Sequence, residues 1–407
     1  MVTAAASGGR RKKGSRLWWR VHQWAGLQAS LFLAFVFLTG TLAVFSYEID
    51  WALRPVMWVN PSEVSRPVSW GEVSAAVSAH DPQAEVLSLS APLHPAAAID
   101  ALIQSEGEKP RHVYVHPGTG EVLGEGAWAG VQRFLRNTHR HLMIDVKWGV
   151  SIVSLAAILL LVSLGTSFIV YKNWWRGFFR WPRGRTLRAL VGDLHRFAGI
   201  WSIWFISIFI VTGIWYLVEV WGGDAPISPK PAIEAGGALP EPETAGAALD
   251  RGIALIEARQ PGFRVAAILA PREDFPAFMV HGHSGRAVLV RPRVDAFWID
   301  ARTGAIIGDI DPRQLSLHQR ISEAADPLHF GTFGGYWTKA IWFLFGAGLT
   351  AMAVTGVMIY VLRIARGRDG QGAASRPWRL AWRAMGRARW IALGLCLLPL
   401  VMAPFVL

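Results

Sequence analysis

Long apolar stretches alternate with polar segments along the chain, and five of them are long enough to cross a membrane. An α-helix needs about 20 mostly apolar residues to span a hydrocarbon core of about 30 Å. The five stretches that meet this requirement cover residues 25–47, 148–171, 197–220, 340–362 and 390–407. The hydropathy pattern therefore predicts an α-helical polytopic membrane protein with five spans.

The segments between these spans fall into two classes. Residues 1–24, 172–196 and 363–389 are short, and together they contain 21 Lys or Arg residues but only two acidic residues. Because basic segments beside spans stay in the cytoplasm, we predict that these three are a cytoplasmic tail and two cytoplasmic loops. Residues 48–147 and 221–339 are long, and we predict that they lie on the outer side of the membrane.

Composition agrees with this topology and excludes several classes of function. The chain is 52% hydrophobic and 17% charged, with a net charge of +12. The basic residues flank the spans without a nucleic-acid-reading motif, so we expect contact with the lipid bilayer and no nucleic acid partner. Cys396 is the only cysteine. An internal disulfide, a covalently attached c-type haem and a thiolate iron–sulfur cluster are therefore excluded.

Both long segments show the patterning of external α+β domains. The first has helical periodicity near Val73, alternating strand-like residues at 85–90 and 112–115, and a hairpin turn at residues 117–120. In the second, residues 243–259 predict a helix. The strands predicted in the second segment cover residues 265–270, 278–282 and 287–290, followed by a hairpin.

The two halves of the chain carry matching motifs. His22 begins an apolar run that ends in Thr-Gly 18 residues later, and His195 begins a run with the same ending at the same spacing. The hairpin turn Thr119-Gly120 has a counterpart at Thr303-Gly304. Because both halves enter the membrane from the same side, we predict two parallel repeats of helix, external segment and helix, followed by the fifth span.

Four histidines occupy equivalent positions at span ends. His22 and His195 lie on the predicted cytoplasmic side, and His139 and His329 lie on the predicted outer side. Two imidazoles at equal depth on facing helices are the arrangement that bis-histidine ligation of a b-type haem requires. For any single histidine, an interfacial side chain bonded to water or a lipid headgroup is the simpler interpretation. Candidate partners of the haem propionates are the adjacent Arg20, Arg140 and Arg196.

Neighbouring residues leave alternatives open. His141 lies two residues from His139, so either side chain could face inward as the ligand on the outer side. His318 is likewise an alternative to His329. Four spans also carry a threonine beside a glycine, where the glycine would admit either a macrocycle or another helix. These pairs are Thr39-Gly40, Gly165-Thr166, Thr212-Gly213 and Thr355-Gly356.

Motifs around the histidines resemble the PepSY-associated transmembrane helix family, whose members include iron-regulated inner-membrane proteins and ferrisiderophore reductases. The motifs are VHQWAG at residues 21–26, THR at 138–140, DLHRFAG at 193–199 and PLHFGTFGG at 327–335. The hairpin sequences resemble PepSY repeats, and the likeness covers about residues 16–365. The family's usual Leu-His-Arg before the second span is Thr-His-Arg-His here, which keeps His141 open as an alternate ligand.

The resemblance implies a transmembrane electron conduit in the bacterial inner membrane, with its N-terminus cytoplasmic and its PepSY-like segments periplasmic. Two b-type haems, ligated by His22 with His195 and by His139 with His329, would reduce a ferric siderophore and release Fe(II) for iron uptake. The protein would then be a ferrisiderophore reductase in which the haems carry the redox chemistry. No nicotinamide-binding motif follows a strand, so the expected electron donor is membrane quinol or a cytoplasmic reductase.

Two other functions fit the sequence. A haem-free PepSY membrane protein would bind or regulate a periplasmic peptide or protease, and its spans would serve only as anchors. A transporter would also use parallel repeats. However, no ionisable residue lies at the middle of a span, which disfavours proton-coupled transport. A haem spectrum of the purified membranes distinguishes the three functions.

Overall fold

The structure is a computed structural model that describes residues 6–233, 238–366 and 377–407. Its helices are α1 (Ala6–Val44), α2 (Ser46–Leu53), α3 (Trp70–His80), α4 (Val131–His141), α5 (Val146–Val170), α6 (Leu187–Trp201), α7 (Ile203–Val218), α8 (Pro242–Arg259), α9 (Leu317–Phe330), α10 (Gly335–Arg366), α11 (Pro377–Ala384) and α12 (Ala388–Val406). Its strands are β1 (Glu85–Ser90), β2 (Ile99–Gln104), β3 (Arg111–Val115), β4 (Val122–Ala127), β5 (Arg264–Leu269), β6 (Ala277–His283), β7 (Asp295–Asp300) and β8 (Ile306–Ile310).

The chain divides into two compact units. The helical unit comprises Met1–Phe45, Phe134–Asp224 and Leu328–Leu407. The α/β unit comprises Ser46–Arg133 and Ala225–Pro327. Most of the two long segments predicted from the sequence lies in the α/β unit, whereas residues 134–147, 221–224 and 328–339 of these segments belong to the helical unit with the predicted spans.

Five helices of the described chain are long and apolar enough to cross a membrane. These candidate spans are Arg16–Val44, Val146–Val170, Ile203–Gly223, Gly335–Ile364 and Ala388–Val406. Helix α1 packs against α5, α10 and α12, while α5 also packs against α7 and α10 against α6. An apolar cluster around Phe205, Ile210, Trp342 and Leu349 joins α7 to α10.

Helical structure extends beyond the spans predicted from hydropathy. Residues 6–24 of the predicted tail belong to α1, and residues 187–196 of the first predicted loop belong to α6. The Thr186 hydroxyl caps α6 by accepting a hydrogen bond from the Ala189 N–H (3.3 Å). Hydropathy reports where a helix meets lipid, and a capped amphipathic end continues past that point. Residues 1–5 of the tail and 367–376 of the second loop lie outside the described residues.

The α/β unit is built on one antiparallel sheet of eight strands in the order β4-β3-β2-β1-β5-β6-β7-β8. The first four strands come from one long segment and the last four from the other. Strands β1 and β5 join them, with Leu89 opposite Ile268 at the centre of the pairing. The hairpins at both edges turn through a glycine with left-handed backbone, Gly120 (φ 74°) and Gly304 (φ 75°). The two segments predicted separately therefore share a single sheet.

Helices α3 and α8 pack on one face of this sheet and form its core. A capping box starts α3, because the Ser69 hydroxyl accepts from the Glu72 N–H and the Glu72 carboxylate accepts from the Ser69 N–H. Val77 of α3 and Leu249 of α8 are fully buried against strand residues such as Val280. Burying one such side chain contributes about 1.5–3 kcal/mol to the free energy of unfolding.

The strand predicted at residues 287–290 is wrong, because this segment is a loop between β6 and β7. Leu289 has a left-handed backbone (φ 54°), which a strand does not accommodate. Ala287 and Val290 are buried on either side of it. The apolar run therefore anchors a loop. Strand β2, which the sequence pattern missed, pairs with β1 and β3.

Ion pairs fix this loop to the end of the sheet. The Asp311 carboxylate accepts hydrogen bonds from Arg286 and from the Arg313 guanidinium (2.6 Å). The hydrogen bonds from Arg313, with the charge of Arg286, lower the pKa of Asp311 to about 2. Asp311 is thus more acidic in the folded state than in the unfolded state. Its stabilising contribution is present above pH 4 and is lost as the pH falls below about 4 towards about 2.

We predict that Asp311→Asn lowers the stability of the α/β unit by about 2 kcal/mol at pH 7, because charged hydrogen bonds to a buried carboxylate are lost. Thermal unfolding followed by tryptophan fluorescence measures the change. The difference from wild type should shrink at pH 3. Asp274→Asn is the control, since Asp274 forms an exposed pair with Arg272 whose loss costs less than about 1 kcal/mol. Equal losses in the two variants would contradict this account of the loop.

Candidate functional site

The two histidines predicted for the outer side lie on short helices that precede two of the candidate spans. His139 is in the last turn of α4, ahead of α5, and His329 is in the last turn of α9, ahead of α10. A turn with left-handed backbone ends each short helix, at Leu142 and Met143 after α4 and at Gly331 after α9. The two histidines therefore occupy corresponding places in the two halves.

The structure brings His139 and His329 together. Their ring centres are 6.1 Å apart, and the ring planes are inclined by 39°. His139 Nδ1 lies 3.0 Å from the Val36 carbonyl oxygen and 3.4 Å from the Thr39 hydroxyl. His329 Nδ1 lies 2.8 Å from the Thr212 hydroxyl. Desolvation lowers the pKa of His139 to about 4, so its imidazole is neutral at pH 7, which is the form that binds a metal.

The other two histidines lie on α1 and α6. His22 Nδ1 is 3.1 Å from both the Ser163 carbonyl oxygen and the Thr166 hydroxyl. His195 Nδ1 is 3.0 Å from the Thr355 hydroxyl. Each of the four histidines therefore contacts a threonine through the same ring nitrogen.

The backbone bonds of these threonines identify which histidine nitrogen carries the proton. A threonine hydroxyl has one hydrogen, and each of the four donates it to a carbonyl of its own helix. The hydroxyl oxygen is thus left to accept, and the histidine donates from Nδ1. The Ser163 and Val36 carbonyl oxygens, which can only accept, require the same tautomer. In this tautomer the basic lone pair is on Nε2.

Glycines beside two of these threonines face imidazole rings, and the glycine at position 40 makes room for one. A Cβ added at Gly40 would lie 2.6 Å from His139 Cε1, which is closer than two unbonded carbons can approach. A Cβ at Gly356 would lie 3.5 Å from His195 Cε1. At Gly213 the neighbour is Ala157 of α5, at 2.8 Å. In the structure these glycines therefore admit a histidine ring or a neighbouring helix.

The alternate histidines have other surroundings. His141 Nδ1 lies 2.8 Å from the Ile144 carbonyl oxygen in the turn between α4 and α5. The backbone oxygen of His141 packs on Gly149, where an added Cβ would be only 2.1 Å away. His318 is in the first turn of α9, three turns before His329. Of the candidates for the outer position, His139 and His329 are the two whose rings meet.

The arginines near the histidines differ in their contacts. Arg196 forms an ion pair with Asp193 (3.0 Å), whereas Arg20 and Arg140 are exposed. Arg136, which the sequence interpretation did not single out, lies one turn before His139, and its guanidinium is 4.6 Å from the Phe330 ring centre. Helical spacing places residues three positions apart on one face. The three-residue spacing in the sequence could therefore have identified Arg136 as a neighbour of His139.

The chain is similar in sequence to known membrane proteins of one family. The sequence profile of the PepSY-associated TM region matches residues 19–363. An uncharacterized protein of Pseudomonas aeruginosa, PA4219, is 25% identical over 261 residues, which cover 58% of this chain. The match covers 65% of that protein's length, slightly less than two thirds. With five helices able to cross a bilayer and a family match over most of its length, the chain is a multi-pass membrane protein of the PepSY-associated transmembrane family.

Proposed function

We propose that this protein is a transmembrane electron conduit that holds two b-type haems and reduces ferric siderophore in the periplasm. His22 and His195 would hold one haem at the cytoplasmic face, and His139 and His329 would hold the other at the outer face. Membrane quinol or a cytoplasmic reductase would donate the electrons. The protein would lie in the bacterial inner membrane and act as a ferrisiderophore reductase in iron uptake.

The spacing of the outer histidines is the observation that carries the proposal. Two imidazole nitrogens bound to one metal ion at about 2 Å each place their ring centres about 6 Å apart. The ring centres of His139 and His329 are 6.1 Å apart. Both are bonded through Nδ1, so Nε2 is the nitrogen that would ligate iron. The donor set would therefore fit one iron with an imidazole on each side of it.

The remaining chemistry requires little of the protein beyond binding and positioning. Bound haem would supply a one-electron couple at each face of the membrane. Adding one electron to Fe(III) in a siderophore gives Fe(II), which oxygen-rich chelates hold more weakly. The chain's own contribution is to hold the four imidazoles in one tautomer and to exclude water from them. No proton transfer by a side chain is needed.

Helix packing supports the proposal that the two halves are parallel repeats. Helix α1 packs against α5 as α6 packs against α10, and α1 packs against α10 as α7 packs against α5. In this comparison α1 corresponds to α6 and α7 together, and α5 corresponds to α10. Each of these helix contacts therefore has an equivalent contact when the two halves are exchanged. The strand order is also symmetric, because β1 to β4 follow one another outward from the centre of the sheet as β5 to β8 do on the other side. Helix α12 packs on α1 and is the fifth span outside this repeat.

The charge distribution supports the orientation. The segments that flank the candidate spans on one side hold 21 Lys or Arg residues, so we propose that this side faces the cytoplasm. The α/β unit would then be periplasmic. The alternative function is a haem-free PepSY protein that binds or regulates a periplasmic peptide or protease. In that case the four histidines would serve only to join helices.

We predict that the purified protein contains two b-type haems per chain, because it has two histidine pairs and no cysteine for covalent attachment. A pyridine haemochrome assay after expression with added haem measures this number. A value near one would mean that only one pair binds haem. A value of zero would favour the haem-free function.

We also predict that the histidines act in pairs. His22→Ala and His195→Ala should each remove the same haem, whereas His139→Ala and His329→Ala should each remove the other. Low-temperature absorption spectra resolve which haem is lost. His141→Ala is the matched control and should retain both haems. Retention of the outer haem in His139→Ala together with its loss in His141→Ala would reverse the ligand assignment.

A third prediction concerns direction. In sealed inside-out vesicles, a membrane-impermeant reductant added outside should reduce both haems, and ferric siderophore trapped inside should reoxidise them. Ferrozine trapped with the siderophore reports the Fe(II) formed. His22→Ala should abolish this transfer because the cytoplasmic haem is lost, although the outer pair is intact. If His22→Ala vesicles form Fe(II) at the wild-type rate, the two haems are not in series.

A further inference from the structure

Each half of the helical unit contains a reciprocal pair of histidine–threonine contacts. In the first half, His22 on α1 bonds Thr166 on α5, and His139, just before α5, bonds Thr39 on α1. The second half repeats the arrangement. There, His195 on α6 bonds Thr355 on α10, and His329, just before α10, bonds Thr212 on α7. Each half thus contains two histidine–threonine contacts that run in opposite directions between its helices.

The threonines are placed where a missing acceptor would be costly. Thr39, Thr166 and Thr212 are 7%, 3% and 3% exposed. A buried N–H group without an acceptor destabilises the folded state. Every threonine is also adjacent in sequence to a glycine. At Gly40 and Gly356 the missing side chain is the space that the bonded histidine ring occupies or contacts. The Thr39-Gly40 pair therefore combines an acceptor with room for the imidazole.

We propose that Thr39, Thr166, Thr212 and Thr355 are positioning residues that set the tautomer and the electron donation of the haem-ligating histidines. This inference rests on the proposed function. By accepting the Nδ1 proton, each hydroxyl raises the basicity of the opposite nitrogen, Nε2. A more basic axial ligand stabilises Fe(III) over Fe(II), and so it lowers the midpoint potential of the haem it holds.

The distances rank these effects. The contact of His329 with Thr212 is the shortest, at 2.8 Å, and that of His139 with Thr39 is the longest, at 3.4 Å. His139 has a nearer acceptor in the Val36 carbonyl oxygen, at 3.0 Å. Both histidines belong to the outer pair. We therefore expect Thr212 to affect the potential of the outer haem more strongly than Thr39 does.

A purely structural role is the competing explanation. Threonine in an apolar helix commonly bonds the carbonyl oxygen four residues earlier in its own helix, and Thr212 makes this bond to Ile208 (2.8 Å). Thr350 makes the same bond to Gly346 (3.0 Å). Among the described residues no histidine bonds to Thr350. It is therefore the matched control for a threonine that serves only its helix.

The test uses the full-length protein reconstituted with haem, in the variants Thr212→Val, Thr212→Ser, Thr39→Val, Thr166→Val and Thr350→Val. Redox titration of the absorption bands gives the midpoint potential of each haem, and low-temperature electron paramagnetic resonance gives its ligand field. Thr212→Val should shift the outer haem to higher potential, by more than Thr39→Val does. Thr166→Val should shift the other haem by less than Thr212→Val shifts the outer haem, because the Ser163 carbonyl oxygen is as close to His22 Nδ1 (3.1 Å) as the Thr166 hydroxyl is. Thr350→Val should shift neither, and Thr212→Ser should restore the wild-type value.

Haem transfer to apomyoglobin supplies a second measurement. Loss of an orienting hydrogen bond typically weakens metal-site affinity roughly 10- to 100-fold, so haem should leave Thr212→Val faster by a factor in that range. If Thr212→Val cannot hold haem while Thr212→Ser holds it at the wild-type potential, the inference also stands. If Thr212→Val and Thr212→Ser lose haem equally, the inference that Thr212 positions His329 is wrong. If Thr212→Val and Thr166→Val each hold two haems at wild-type potentials, the inference about the threonines is wrong but the proposed electron conduit is unaffected. If the wild-type protein holds no haem, both the inference and the proposed conduit are wrong.

Discussion

An imidazole inside an apolar helix bundle must find an acceptor for its N–H group, because lipid and aliphatic side chains offer none. In this protein the acceptors are threonine hydroxyls on neighbouring helices, assisted by backbone carbonyl oxygens. The rest of the helical unit depends on this requirement. Helices must approach closely enough for bonds of about 3 Å, and a glycine next to the threonine permits that approach at Gly40.

The same bond links structure to chemistry. A histidine held through Nδ1 has one defined tautomer, and its Nε2 lone pair has a defined direction. In the proposed function, two such histidines with ring centres 6.1 Å apart would form one haem-binding pair. A one-electron carrier benefits from rigidly held ligands, because small movements between its two oxidation states keep the reorganisation energy of electron transfer low. A haem-free anchoring protein has no comparable need for four oriented imidazoles.

The proposed duplication would explain how one chain could hold two such sites. Each half would supply one histidine to each pair, so neither half would be sufficient. The α/β unit follows a similar principle, because its two four-strand segments meet at β1 and β5 and share one core under α3 and α8. A four-stranded segment with one helix would leave an edge strand unpaired at this position. Pairing the copies removes that edge.

The sequence by itself determined the features that depend on local pattern. Hydropathy located five membrane-crossing segments, alternation located most strands, and the repeated motifs singled out four histidines among twelve. The family assignment followed from the same motifs. These features are readable because span length and side-chain periodicity are properties of consecutive residues.

Only the tertiary structure decided which of these residues meet. It brought His329 to His139 while turning His141 into the bend before α5. It showed Gly40 as space for the His139 ring, Gly213 as a close contact with α5, and the threonines as histidine partners. It also joined β1 to β5 and made residues 287–290 a loop. These outcomes depend on packing between residues that are mostly a hundred or more positions apart, and no local pattern in the chain records that packing.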